Sequence, residues 1–270
     1  MTTTRMISGG VLVAAFMAQA TVTTSPQTAA PPATQVAQQP ALPDCPELAA
    51  ALRTVAANDA RLRDWPNLTR YRESNRSVMN AQAVFMGDSI TDAWQQPRFG
   101  GFFPGRGYVD RGISGQTTPQ MLLRFRPDVI NLKPKDVVIL AGTNDIAGNT
   151  GVTSNDDIQN NLASMSELAA ANGVKVVLAS ILPVGEYHLA NPNAVPQTTS
   201  RPMARIRALN DWMRAYAAAH KHVYLDYFSA MTDAAGLLKA DLSGDDLHPN
   251  AAGYAVMAPL AEAAIARAIR

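Results

Sequence analysis

Short, uninterrupted apolar runs alternate along this chain with stretches whose apolar residues recur every three or four positions. That alternation limits its possible folds more than any other feature. The runs Ala81–Met86, Tyr108–Ile113, Asp136–Ala141, Val174–Ala179 and His222–Asp226 are each the length of a strand, and their cores are apolar almost throughout. A strand apolar on both faces must be covered on both faces, as in a parallel sheet with helices above and below. The intervening segments supply those helices. Leu48, Leu52 and Val55 predict a first one. Ile158, Leu162, Met165 and Ala169 predict another, as do Ile206, Leu209, Met213 and Tyr216. Met257, Leu260, Ala264 and Ala268 predict the last. The class is therefore α/β, and no internal repeat interrupts it.

In such sheets, ligands bind beyond the carboxyl ends of the strands. The chain places its most reactive polar residues there: Ser89, the turn Gly112–Gly115, the turn Gly142–Asp145, and Asp245–His248. A serine hydroxyl is a weak nucleophile until a base takes its proton, and the base needs a third group to hold it in the right tautomer. Ser89, His248 and a carboxylate three residues before that histidine fit these needs. Each residue also has a plainer reading. Ser89 could cap a helix, Gly115 serve a turn, Asn144 bond its own loop, and His248 lie in a surface loop. Asp246 competes with Asp245 for the histidine. Asp88 and Asp145 are expected to fix loops. His188, in the loop Leu182–Pro202, is expected to be solvated or to line a pocket. Trp65, Trp94 and Trp212 are expected to pack, with Trp94 close enough after Ser89 to wall the site.

Composition removes several other functions. A net charge of +1 over 270 residues, no basic run and 6% aromatics leave neither the charge nor the stacking surface for nucleic acid. Cys45 is the single cysteine, so no disulfide framework or cysteine-based metal site is expected. His188, His220, His222 and His248 show no local ligand spacing, and no metal or organic cofactor is expected. A phosphate-cradling glycine loop with lysine is missing, as is the Gly-x-Ser-x-Gly elbow of ordinary α/β-hydrolases. Residues 1–20 read as a signal peptide, a small-residue apolar run ending in Ala18-Gln19-Ala20 and too short to span a bilayer. Residues 21–44, rich in Pro, Thr, Ala and Gln, read as a disordered linker, and 45–270 as the folded domain. A periplasmic or secreted location with no stable membrane anchor follows as an expectation.

Four blocks carry the chemistry: Gly87-Asp88-Ser89-Ile90, Gly112-Ile113-Ser114-Gly115-Gln116-Thr117-Thr118, Gly142-Thr143-Asn144-Asp145, and Asp245-Asp246-Leu247-His248-Pro249-Asn250. In this order and spacing they resemble the SGNH/GDSL hydrolases, over about residues 80–255. Ile90 stands where the family name has leucine, an equally apolar choice. The resemblance implies a three-layer α/β/α sandwich around a five-stranded parallel sheet, flavodoxin-like in layout. It implies Ser89 as nucleophile, His248 as general base and Asp245 as its orienting acid. The oxyanion hole would come from the N–H groups of Ser89 and Gly115 and the Asn144 amide. Activity should fall as pH drops through the ordinary imidazole range, ~6.5. Pro97–Gly107 and Gly115–Thr118 are similar to the platelet-activating-factor acetylhydrolase-like branch, which implies small acyl groups, acetyl first. A small-molecule or carbohydrate acyl ester is the expected partner. The competing readings are a lysophospholipase or thioesterase, an acyltransferase on the same triad, and a non-catalytic carbohydrate-binding module.

Overall fold

Helices and strands alternate as the apolar spacing predicts, and the computed structural model describes residues 46–189 and 194–270. The proposed signal peptide and linker, residues 1–20 and 21–44, lie outside that range. In chain order the elements begin α1 (Pro46–Arg63), α2 (Arg72–Ser77), β1 (Ala83–Gly87), α3 (Ser89–Asp92) and β2 (Tyr108–Gly112). They continue α4 (Thr118–Asp128), β3 (Asp136–Leu140), α5 (Thr143–Ile146), α6 (Asn155–Ala171) and β4 (Lys175–Ala179). The last are α7 (Gln197–Ser200), α8 (Met203–Ala219), β5 (Val223–Leu225), α9 (Tyr227–Met231) and α10 (Ala251–Ala268). Glu47–Arg270 gathers into one compact unit.

The five strands form one sheet in the order β2-β1-β3-β4-β5, every pair parallel. Alternate side chains leave on opposite faces, so each strand feeds two cores. Val84, Met86, Val137 and Ile139 meet Phe125 of α4, Leu162 of α6 and Leu209 of α8. Ala83, Phe85, Val138 and Leu140 meet Trp94 and the Tyr254, Met257 and Ala261 face of α10. This is the expected three-layer sandwich. Trp94 is part of that second core, 3% exposed and edge-on to Phe85, so it packs and does not wall the site. Truncating a fully buried side chain such as Phe125 to alanine costs ~3–5 kcal/mol, so changes in these cores threaten the fold before the chemistry.

Two helices depart from what periodicity suggests. α1 forms where Leu48, Leu52 and Val55 predict it, yet all three stay exposed and join neither core. α4 is not evident from apolar spacing, because Pro119 and Pro127 interrupt its pattern. It starts on a reciprocal capping box, Thr117 with Gln120, and buries Met121 and Phe125.

The sheet sets the position of the site. Gly87, Gly112 and Leu140 are level in register, so β1, β2 and β3 end on one line. Strand order also reverses at β1, with β2 on one side and β3 on the other, and a crevice opens at that kind of reversal.

Candidate active site

Ser89 lies two residues past the end of β1. Asp88, not Ser89, caps the short α3, its carboxylate accepting from Ile90 N at 2.9 Å. Ser89 is thus the first helical residue, its own side chain free for another partner. That partner is His248: Ser89 Oγ and His248 Nε2 are 2.9 Å apart, across 159 positions of sequence. On the far side of the ring, His248 Nδ1 lies 2.6 Å from Asp245 Oδ2. Asp245 Oδ1 accepts from the backbone N–H of His248 at 2.7 Å and of Leu247 at 3.1 Å. Partial burial alone would raise the Asp245 carboxyl. The bonds from the His248 ring and from these N–H groups outweigh it and hold the group well below the usual carboxylate range.

The two remaining blocks close around this relay. Gly115 adopts φ +79°, a left-handed conformation that costs a glycine little. Asp92 of α3 holds the preceding residue, accepting from Ser114 N at 3.1 Å and Ser114 Oγ at 2.6 Å. Gly112 brings the two loops together: a Cβ there would sit 2.1 Å from Asp92 N. Asn144, 4% exposed, donates one amide N–H to Gln116 O at 3.0 Å, which orients the group and leaves its second N–H. The backbone N–H groups of Ser89 and Gly115 find no protein acceptor among the described residues.

Asp145 fixes its loop as expected, accepting from Thr118 N and from Thr118 Oγ1 at 2.6 Å. Asp88 does the same for Ile90, but it is wholly buried and its Oδ2 has no partner among the described residues. Burial pushes its carboxyl up to about 6, despite the bond from Ile90 and the nearby His248 and Arg201.

Asp246 is not the partner of His248. It is 2% exposed, and its Oδ2 accepts from His188 N at 2.6 Å while Oδ1 lies 3.0 Å from His188 Nδ1. His188 is therefore neither simply solvated nor shown lining a pocket. Trp65 also departs from expectation. It is 37% exposed and, with Asn67, Gln120, Asn149 and Gly115, lines a mainly polar recess of about 600 Å³.

Two further residues escape sequence reasoning. Arg124, fully buried, donates to Gly87 O at 3.0 Å, Arg111 O at 2.8 Å and Asp128 Oδ2 at 3.1 Å, tying β1 to β2 beneath the site. Arg201 donates from Nε to Thr143 Oγ1 at 3.2 Å, next to Asn144. An arginine in an amphipathic helix or a loop gives no sign of burial. Among the described residues no three His, Cys, Asp or Glu side chains are grouped to hold a metal ion.

The profile of the GDSL-like Lipase/Acylhydrolase family matches residues 85–256, more than half of the chain and all four blocks. The chain belongs to this family. Its members are hydrolases of carboxylic esters. A GDSL-like lipase of Bacteroides thetaiotaomicron is 40% identical, with 75% of this chain and 98% of that one covered and a TM-score of 0.66. A structure from Streptococcus pneumonia named for platelet activating factor is 27% identical, covering 80% and 99% with a TM-score of 0.66. The family resemblance therefore includes the branch expected from Pro97–Gly107. The chain also matches YqeF, an uncharacterized lipoprotein of Bacillus subtilis, at 38% identity over 89 residues. That match spans 30% of this chain and 36% of the relative.

Proposed function

We propose that this protein is an exported serine esterase that removes short acyl groups, acetyl first, through an acyl-enzyme on Ser89. The observation that carries the reading is the unbroken line from Ser89 Oγ through the His248 ring to Asp245. His248 Nε2 takes the Ser89 proton as Oγ attacks the ester carbonyl. Asp245, ionised throughout, keeps the proton on Nδ1 and balances the imidazolium that forms. The oxyanion is met by Ser89 N–H, Gly115 N–H and the second N–H of Asn144, three donors held before substrate arrives. His248 then protonates the leaving alcohol, and water releases the acid by the same steps reversed.

The mainly polar recess beside Gly115 supports a polar substrate, with O-acetylated carbohydrate the candidate from a periplasmic or secreted setting. Export is supported by the apolar segment within residues 1–20 and by the lipoprotein relative. No helix among the described residues is long and apolar enough to cross a membrane.

The test is hydrolysis of p-nitrophenyl acetate, butyrate and octanoate by the protein and by Ser89→Ala. Expected is turnover that declines with chain length and vanishes in the variant, with fluorophosphonate labelling at Ser89. Turnover that survives Ser89→Ala removes the mechanism, and a preference for octanoate removes the short-acyl reading.

A further inference from the structure

Arg201 carries a charge that no nearby side chain neutralises. It follows α7 as its C-terminal cap, is 8% exposed, and bonds only to uncharged groups: Thr143 Oγ1 at 3.2 Å from Nε, Gln197 Oε1 at 2.8 Å and Ser200 Oγ at 3.1 Å from Nη1. Nη2 donates to nothing among the described residues, and no carboxylate of theirs lies within 4 Å of the guanidinium. Burial lowers the pKa of this arginine, against the opposing influence of Asp88 and Asp245.

The two other buried arginines show what is missing. Arg111 lies over the Tyr71 ring, 4.6 Å from its centroid, and donates to Asn75 Oδ1 at 2.8 Å and to Asp110 O. Arg124 faces Asp128 at 3.1 Å and also donates to Gln116 and to two backbone carbonyls. Buried charges are ordinarily paired in this way, because an unpaired one forfeits its hydration without return. Arg201 is left unpaired at one place, beside the reacting centre. Thr143, its partner, precedes Asn144, and both Asp88, next to Ser89, and Asp245, which binds His248, are close enough to influence it. Neither is a ready counter-ion. Asp245 is bound to His248, and Asp88, although its Oδ2 has no partner among the described residues, lies beyond ion-pair distance of Arg201. A planar guanidinium with a free edge is shaped to take a carboxylate.

We propose that Arg201 binds a carboxylate carried by the substrate, so that the preferred substrates are short acyl esters bearing an acid, such as O-acetylated acidic sugars. This rests on the esterase reading above and adds the charge of the substrate to it. The carboxylate belongs to the alcohol part or to the acyl part, and two substrate pairs separate these. One compares acetate release from O-acetylated glucuronic acid and O-acetylated glucose. The other compares 4-nitrophenyl hydrogen succinate with 4-nitrophenyl butyrate.

Expected is a kcat/KM preference for the acid member of one pair of about ten- to a hundredfold, the worth of a charge-assisted bond. Arg201→Gln should erase that preference and Arg201→Lys retain part of it, with fluorophosphonate labelling of Ser89 showing that each variant keeps an assembled centre. Two results overturn the proposal while leaving the esterase standing: Ser89-dependent turnover with no preference for acid in either pair, or an Arg201→Gln loss equal on acid and neutral members. If Ser89→Ala changes nothing on any substrate, the esterase reading itself fails and takes this inference with it.

Discussion

Asp245 and Asp246 are neighbours in sequence, each bonded to a histidine, yet the two pairs serve different ends. Asp245 is more than half exposed at its side chain, and it holds a ring that reaches Ser89. Asp246 is buried, and it holds a ring and a backbone N–H from a loop 58 residues away. The backbone between them separates the roles. Asp246 has φ +64°, a left-handed conformation that aspartate tolerates better than most residues, and this sends adjacent carboxylates in different directions. Gly185 closes the second contact, since a Cβ there would sit 2.5 Å from Asp246 Oδ1. An Asp–His pair at hydrogen-bond distance is therefore not by itself catalytic. What the far ring nitrogen reaches decides that.

Asp245→Asn should lower kcat by ~10³–10⁴-fold with the fold intact, because the ring loses its tautomer and its counter-charge. A loss below tenfold in steady-state hydrolysis means that another group orients His248. Asp246→Asn should act on stability instead, costing ~1–3 kcal/mol in denaturant unfolding through the His188 bonds it weakens. If its kcat falls as far as that of Asp245→Asn, the two pairs are not separate. His188→Ala removes only the ring half of the clamp and should cost less, ~0.5–1.5 kcal/mol, with faster proteolysis in 182–202 as its sign.

The smallest effect is in pH. The Asp245 carboxyl titrates below its unfolded value, so between the two values the native state binds fewer protons than the unfolded chain. Its contribution to stability is then present above the ordinary carboxylate range and lost as pH falls. The stability gap between the parent and Asp245→Asn should narrow as pH drops below ~4. A gap that widens on acidification contradicts the assignment of its bonds.

Much of this was legible beforehand. The strands of the five expected runs differ from expectation only at their ends, since an apolar run buried on both faces carries its own signal. Ser89, Gly115 and Asn144 come to one edge because each lies just past a strand of the sheet, and Asp245 and His248 join them from the loop just before α10. Other features were not legible. The exposure of Trp65, the helix α4 and the burial of Arg124 and Arg201 depend on which surfaces meet, and a side chain's type does not record that.

The order of amino acids alone was enough for the alternation of strands and helices, the parallel sheet, and the placing of reactive residues at its carboxyl edge, because an unbroken apolar run and a 3.6-residue period are local properties of the chain. Which aspartate serves which histidine, and that Arg201 is buried beside the reacting centre without a carboxylate at ion-pair distance, were settled by the tertiary structure. Those outcomes depend on one left-handed backbone angle and on loops that meet across tens of residues, and neither leaves a pattern in the order of amino acids.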